Sequence, residues 1–383
     1  MSPSLRFPEF TGEWEKCVLG DYGKVVTGNT PPTKDIENYE NGTYLWASPA
    51  DLGTHKLISE TKTKLSSKGF TKTRPLSKGS VLVTCIGSTI GKTGMATREM
   101  STNQQINSIV VNENNDNEFV YYVVQSAFPH YLSSIAVQAV PIISKSSFEL
   151  LPSKRPSLQE QNKIGIFLSL LDERISTQHR LIEDLKKLRC AIVEKMFKQS
   201  KANGRLGDFI EQVSVRNKNG LYSNVLSVSN KQGFVKQSEQ FEDRTVASED
   251  TSNYKIVKRN NFAYNPARIN VGSIARLTKF DVGIVSPMYV CFRTKASIIP
   301  EYMEAFFTSQ QFFYEMMKRL EGSVRLCLSY EGLCNIPVYI TDMNKQIAMG
   351  QNISLILSKI GLEIEYLGRL HQQKQYLLRK MFI

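Results

Sequence analysis

The residues most suggestive of chemistry in this 383-residue chain form a glycine-bearing loop, Gly87-Ser-Thr-Ile-Gly-Lys-Thr93. A loop that cradles nucleotide phosphates reads G-x-x-x-x-G-K-[ST] and opens a helix whose first N–H groups hold the anion. Here the first glycine would fall at Ile86, so the loop is one residue short. Gly94–Glu99 is also too brief for the required helix and soon gives way to Asn103-Gln104-Gln105. Nucleotide hydrolysis is therefore not expected, although the loop N–H groups, Ser88 and Lys92 suit a nucleic-acid phosphate. Other catalytic patterns fail together: there is no G-x-S-x-G elbow, no H-E-x-x-H and no dinucleotide loop in a strand–helix setting. Asn265-Pro266-Ala267 begins like the N-P-P-[FYW] loop of adenine methylation but lacks its second proline and its aromatic residue. The six cysteines (Cys17, Cys85, Cys190, Cys291, Cys327, Cys334) contain no C-x-x-C, and the four histidines are scattered. That pattern fits a reducing compartment and neither a disulfide framework nor a zinc site. No catalytic residue, metal or cofactor is expected in this chain.

The basic residues point elsewhere. Lys and Arg exceed Asp and Glu by 48 to 36, a net +12, which suits a polyanionic partner. Between Lys56 and Lys78 lie Lys62, Lys64, Lys68, Lys72 and Arg74, with Ser and Thr in the gaps and Glu60 the single acid. Such a stretch can follow a phosphate backbone, or equally be a solvated strand edge that lysines protect from pairing. Further along, Asn265, Arg268, Asn270 and Ser273 share one short turn-forming segment, and Arg325 lies in the loop Gly322–Leu326. Arginine reads guanine edges and Asn or Gln reads adenine edges through paired hydrogen bonds, so these residues and Asn103, Gln104 and Gln105 are the candidate DNA contacts. The bland reading of each is a turn residue bonding its own backbone.

The elements that would position these residues occur twice. Lys195-Met196-Phe197 recurs at Lys380-Met381-Phe382, and at the same offset Pro152 meets Pro337, Gln161 meets Gln346 and Gly165 meets Gly350. Upstream the likeness is looser: Leu19-Gly20-Asp21 resembles Leu206-Gly207-Asp208, and Lys78–Thr84 resembles Arg259–Asn265. The order is head, helix, head, helix. Ile164, Leu168, Leu171, Ile175, Ile182, Leu185, Ile192 and Met196 follow a coiled-coil seam with polar breaks at Gln178 and Arg189. Met349, Ile353, Ile356, Ile360, Leu367, Leu370, Leu377 and Met381 repeat it, with breaks at Glu363 and Lys374. Each helix of about 40 residues would span roughly 60 Å. Matching seams favour mutual pairing, and a return path makes the pair antiparallel, with the heads at its two ends about a pseudo-twofold axis. Strand-rich runs such as Gly79–Ile86, Asn107–Asn112 and Gly283–Phe292, with short helices expected at 118–128 and 301–317, make each head α+β. Two basic, dyad-related heads on a rigid spacer match a reader of two DNA half-sites.

With these features the chain resembles the specificity subunits of bacterial type I restriction-modification enzymes. The local marks are Leu19-Gly-Asp, Lys78-Gly-Ser-Val-Leu followed by Ile90-Gly91-Lys92, the segment Asn265–Ala275, and the passage from Leu151-Pro152 into Gln159-Glu-Gln, echoed by Ile336-Pro337 into Lys345-Gln346. The resemblance implies a first target-recognition domain at 1–157, a conserved-region helix at 158–202, a second target-recognition domain at 203–340 and a second conserved-region helix at 341–383. It implies a non-catalytic subunit that reads a bipartite, asymmetric sequence in double-stranded DNA. It also implies docking of two methyltransferase (modification) subunits, which bring S-adenosylmethionine, and of restriction/translocase subunits, which bring ATP-driven cleavage. The N-terminus shows no secretory signal and no apolar run reaches a bilayer span, so a cytoplasmic location without membrane contact is expected. The competing reading is a scaffolding or adaptor protein whose helix pair binds a protein partner.

Overall fold

A computed structural model describes residues 2–135, 142–198, 201–230, 232–237, 250–323 and 325–382. Contacts divide the chain into two units, Met1–His179 with Tyr366–Ile383, and Arg180–Glu365. The architecture is α+β, with strand-rich sheets and two long helices.

The first unit carries β1 (Glu15–Val18), β2 (Gly23–Thr27), β3 (Tyr44–Ala47), β4 (Leu57–Ile58), β5 (Thr63–Leu65), α1 (Ser67–Thr71), β6 (Val81–Thr84), β7 (Thr93–Ala96), β8 (Ser101–Thr102) and β9 (Ile106–Val111). After these come α2 (Asn117–Ile135), α3 (Lys145–Glu149), β10 (Pro152–Arg155) and the start of α4 (Leu158–Lys198). Its main sheet runs β2-β9-β6-β7-β4, a second runs β5-β3-β8, and β1 pairs with β10. The unbroken apolar run Val81-Leu-Val makes sense in the middle of that sheet, where both faces must be covered. Val81 and Val83 face a core that includes Phe119, Tyr122 and Phe128 of α2. Leu82 faces the other way, onto Leu45, Ala47, Ile58 and Ile106.

The second unit repeats this plan with other side chains. It holds β11 (Gly204–Arg205), α5 (Leu206–Phe209), β12 (Ile210–Gln212), β13 (Val225–Ser229), β14 (Gly233–Lys236), β15 (Lys255–Lys258), β16 (Phe262–Tyr264), β17 (Ile274–Arg276), β18 (Val282–Val285) and β19 (Val290–Thr294). Then follow α6 (Pro300–Phe307), α7 (Gln310–Met317), α8 (Tyr330–Cys334), β20 (Pro337–Val338) and α9 (Met343–Met381). The sheets run β12-β19-β16-β17 and β14-β13-β18-β15, and β11 pairs with β20. The matching extends to strand direction: β6 is antiparallel to β7 and β9, as β16 is to β17 and β19. Likewise β3 is parallel to β8, as β13 is to β18. Phe262 and Tyr264 face the core beneath α6, and Ala263 faces the opposite one. The single helix expected at 301–317 is two, because Ser309 accepts a hydrogen bond from the Phe312 N–H (3.1 Å) and caps a new start. The helix expected at 118–128 instead continues to Ile135.

The long helices span 41 and 39 residues, and residues 201–203 after α4 belong to no regular element. In the first unit Ile164, Leu168 and Ile175 of α4 and Leu370, Leu377 and Met381 of α9 are buried. There Asp172 pairs with Lys374 (2.6 Å) and the rings of His179 and His371 lie 5.9 Å apart, so the helix segments run antiparallel. In the second unit Val193, Met196 and Phe197 of α4 share a core with Ile353 of α9. Val193 is buried there and Ile192, the expected seam residue, only partly so. A straight helix of 3.6 residues per turn drifts off a strict 3.5 repeat, which moves the inward face on by one position.

Candidate nucleic-acid interface

In the first unit the loop between β6 and β7 is drawn tight by backbone bonds, Gly91 N–H to Thr84 O (2.9 Å) and Lys92 N–H to Thr89 O (3.2 Å). Gly87 and Gly91 both hold a φ near +90°, a conformation that favours glycine. The loop returns directly into a strand, so its N–H groups face no helix start. Ser88 and Lys92 are exposed, and the methylene stem of Lys92 rests on Gly53.

Two further segments abut this loop. One is the turn from β8 to β9, where Cys85 N–H donates to Gln105 O (2.8 Å) and the Gln105 amide lies next to Gly87. The other precedes α3: Ile143 N–H donates to Cys85 O (2.8 Å), and Ile142, exposed, forms a bridge with Ile86. Within the turn, buried Asn103 accepts from the Gln105 N–H (3.0 Å) and donates to Gln105 Oε1 (3.0 Å). Asn103 and Gln105 thus hold the turn's shape, while Gln104 is exposed and accepts from the Thr30 hydroxyl (2.5 Å).

The basic stretch is less free than its sequence implies. Acids distant in sequence return to it: Lys72 bonds Asp35 (2.9 Å) and Asn38 (2.8 Å), and Lys68 pairs with Glu37. The hydrogen bond from Lys72, with Lys68 nearby, holds the Asp35 carboxyl below its ordinary range, so it stays charged. Lys64 pairs with Glu60 (2.6 Å), and Arg74 donates to Thr27 O (2.8 Å). Lys62 is exposed, and its backbone N–H donates to Asp51 (2.8 Å). Asn29 donates to Lys72 O (2.8 Å), so the segment 27–30 joins the end of the basic stretch to the Gln104 turn.

The second unit builds the same constellation from other residues. The β16–β17 loop is closed by Asn265 N–H to Ser273 O (3.1 Å), Arg268 N–H to Asn265 O (3.0 Å) and Ser273 N–H to Arg268 O (3.1 Å). Asn265 Oδ1 accepts from Ala267 N–H (3.0 Å), and the buried Ser273 hydroxyl donates to Val228 O (3.2 Å). These two side chains hold the loop. Arg268 is exposed and Asn270 half-buried. The third segment arrives through Leu328 N–H to Pro266 O (3.1 Å), preceded by exposed Arg325 and Leu326. The turn from β18 to β19 brings Met288, exposed and 3.9 Å from the Asn265 amide. Sequence reasoning passed over Met288. The available signal was its position two residues before the strand, the place Gln104 takes before β9.

Residues 11–187 match the family described as type I restriction modification DNA specificity domain. Within those residues the first unit is similar to a type I restriction-modification DNA specificity domain. The chain is 28% identical over 191 residues to the MjaIX specificity subunit of Methanocaldococcus jannaschii, an alignment covering 48% of this chain and 44% of that protein. It is 28% identical over 180 residues to the HindI specificity subunit of Haemophilus influenzae, covering 44% and 39%. The matches therefore span less than half the length of these relatives. The fold as a whole is similar to the crystal structure of a type I S subunit from M. genitalium, with TM-score 0.63 and 18% identity, covering 100% of this chain and 99% of that one. A chain from a type I restriction-modification structure concerned with complex assembly and conformational transition aligns with TM-score 0.56 and 14% identity, covering 96% and 97%. Among the described residues no group of three or more His, Cys, Asp or Glu could hold a metal ion, and no helix is long and apolar enough to cross a membrane.

Proposed function

We propose that this chain is the non-catalytic, DNA-reading specificity subunit of a type I restriction-modification complex. The observation that carries the reading is the repeated head. In each unit two further segments meet the loop of the central hairpin, and cationic or amide side chains are exposed there, on a chain whose residues 11–187 match a DNA specificity domain. Because the residues offered to solvent differ between heads, Ser88, Lys92 and Gln104 against Arg268, Arg325 and the half-buried Asn270, the two half-sites differ and the target is asymmetric. The long helices set the distance between the half-sites. Their outer faces expose Ile166, Leu170, Leu188, Leu355 and Leu362, apolar surface suited to docking two methyltransferase subunits. Restriction/translocase subunits join that assembly, which acts on chromosomal DNA in the cytoplasm. Among the candidate residues, the exposed ones face DNA, while Asn103, Gln105, Asn265 and Ser273 shape the loops. Lys62, Lys64, Lys68, Lys72 and Arg74 supply contacts to phosphate, with Asp35, Glu37 and Glu60 tempering three of them.

The scaffold reading predicts no dependence on nucleic acid, so the test is binding of duplex DNA by the chain with its modification subunits across a salt series. Phosphate contacts release counterions, so the logarithm of affinity falls linearly with the logarithm of salt, by roughly 0.9 per phosphate neutralised. A flat response, or no binding, contradicts the proposal.

A further inference from the structure

The run β2-β9-β6-β7 of the first head matches β12-β19-β16-β17 of the second in order and direction, but the turns leading into β9 and β19 expose different side chains. Thr84 of β6 lies opposite Ile106 of β9, and Tyr264 of β16 lies opposite Val290 of β19. Gln104 and Met288 each stand two residues before the first residue of the strand that follows, Ile106 and Val290, and both are exposed. Gln104 offers one hydrogen-bond donor group and one acceptor, whereas Met288 offers only a polarisable apolar thioether.

Met288 is held out rather than left over. Its turn, Ser286–Tyr289, is closed by Tyr289 N–H to Ser286 O (3.1 Å), and Met288 is 60% exposed. It adjoins the loop that presents Arg268, and the segment bearing Arg325 and Leu326 adjoins that same loop through Pro266. An apolar probe flanked by cations matches one feature of duplex DNA. The C5 methyl of thymine is the apolar group that a base edge shows in the major groove, beside phosphates that the arginines can neutralise.

We propose that Met288 is a specificity-determining residue that contacts the C5 methyl of a thymine in the half-site read by the second head. The inference rests on the DNA-reading function proposed above and adds to it the chemical group that one named side chain reads.

The test uses the full chain in complex with its modification subunits and a duplex bearing the mapped target. Each thymine in turn is replaced by deoxyuridine, which removes only the C5 methyl. For the native chain one replacement, in one half-site, weakens binding about fourfold, the fold-change that corresponds to burying one such carbon. Met288→Ala abolishes the loss at that position and leaves the response to every other replacement unchanged. Because Met288 is an exposed turn residue, its removal leaves both cores intact. Gln104→Ala, on the turn before β9 in the first head, does not abolish the methyl effect. If no thymine is sensitive, or if Met288→Ala keeps the same sensitivity, the methyl contact is overturned while sequence-dependent binding stands. If the native complex binds all sequences alike, the DNA-reading function itself falls, and the inference with it.

Discussion

Among the exposed candidates, Arg268 and Lys92 best separate the two heads, since each stands on the central loop of its own unit. Arg268→Ala weakens or relaxes reading of one half-site by about 1–3 kcal/mol if the guanidinium is bidentate to a base. Lys92→Ala acts on the other half-site only. Affinities for targets randomised one half at a time check both, and equal losses in both halves would contradict separate readers. Much at this scale was legible in the sequence, because turn chemistry is local: the loops at 87–93 and 265–273 stand where their Gly, Asn and Ser residues placed them. What was not legible depends on contacts between distant segments. Asp35 and Glu37 reach Lys68 and Lys72 across more than thirty residues, so counting charges from 56 to 78 overstated the free cations. Asn103 reads as an adenine ligand from its type, but burial and two bonds to Gln105 commit its amide to the turn. Met288 carries no motif and becomes visible only when the turns before β9 and β19 are compared.

The long helices were the most legible elements, because a seam of apolar residues repeats over forty positions and recurs downstream. The role of one polar break was not legible. Lys374 interrupts the seam of α9, and in the first unit it meets Asp172 of α4, with side chains 15% and 16% exposed. Asp172 also accepts from the Tyr122 hydroxyl of α2 (2.7 Å), and Lys56 donates to Tyr122 and to Ser169 (each 3.1 Å) while pairing with Glu118. Burial, reinforced by the Asp172 charge, pushes the Tyr122 hydroxyl far up, so it remains a donor. This network ties head and helices together in a fixed register. Asp172→Ala leaves Lys374 without its carboxylate and destabilises the unit by on the order of 3 kcal/mol, since removing one partner of a buried pair strands the other. Replacing the pair together, Asp172→Leu with Lys374→Met, recovers most of that loss. Denaturant unfolding of the single and double variants checks this, and additive losses would mean that the two residues act independently.

At the scale of the whole molecule the repeat was legible as a shared offset between Phe197 and Phe382, and the strand run β2-β9-β6-β7 recurs as β12-β19-β16-β17. The pairing of strands was not legible, because short strands such as β8 and β18 carry too few residues to announce partners. The central claim is that two different heads read two half-sites at a distance set by the helices. The measurement that tests it most directly is sequencing of methylated adenines in genomic DNA from cells expressing the complex. It is made with the native chain and with a variant carrying four helix-forming residues after His179 and four after Glu365, where the chain passes between units. The native chain is expected to give one two-part, asymmetric motif with a fixed gap. In the variant each helix gains about 6 Å, and at about 3.4 Å per base pair the gap widens by at most about two base pairs while both half-sites keep their sequences. A continuous motif, an unchanged gap, or the absence of any motif that depends on this chain would contradict the account.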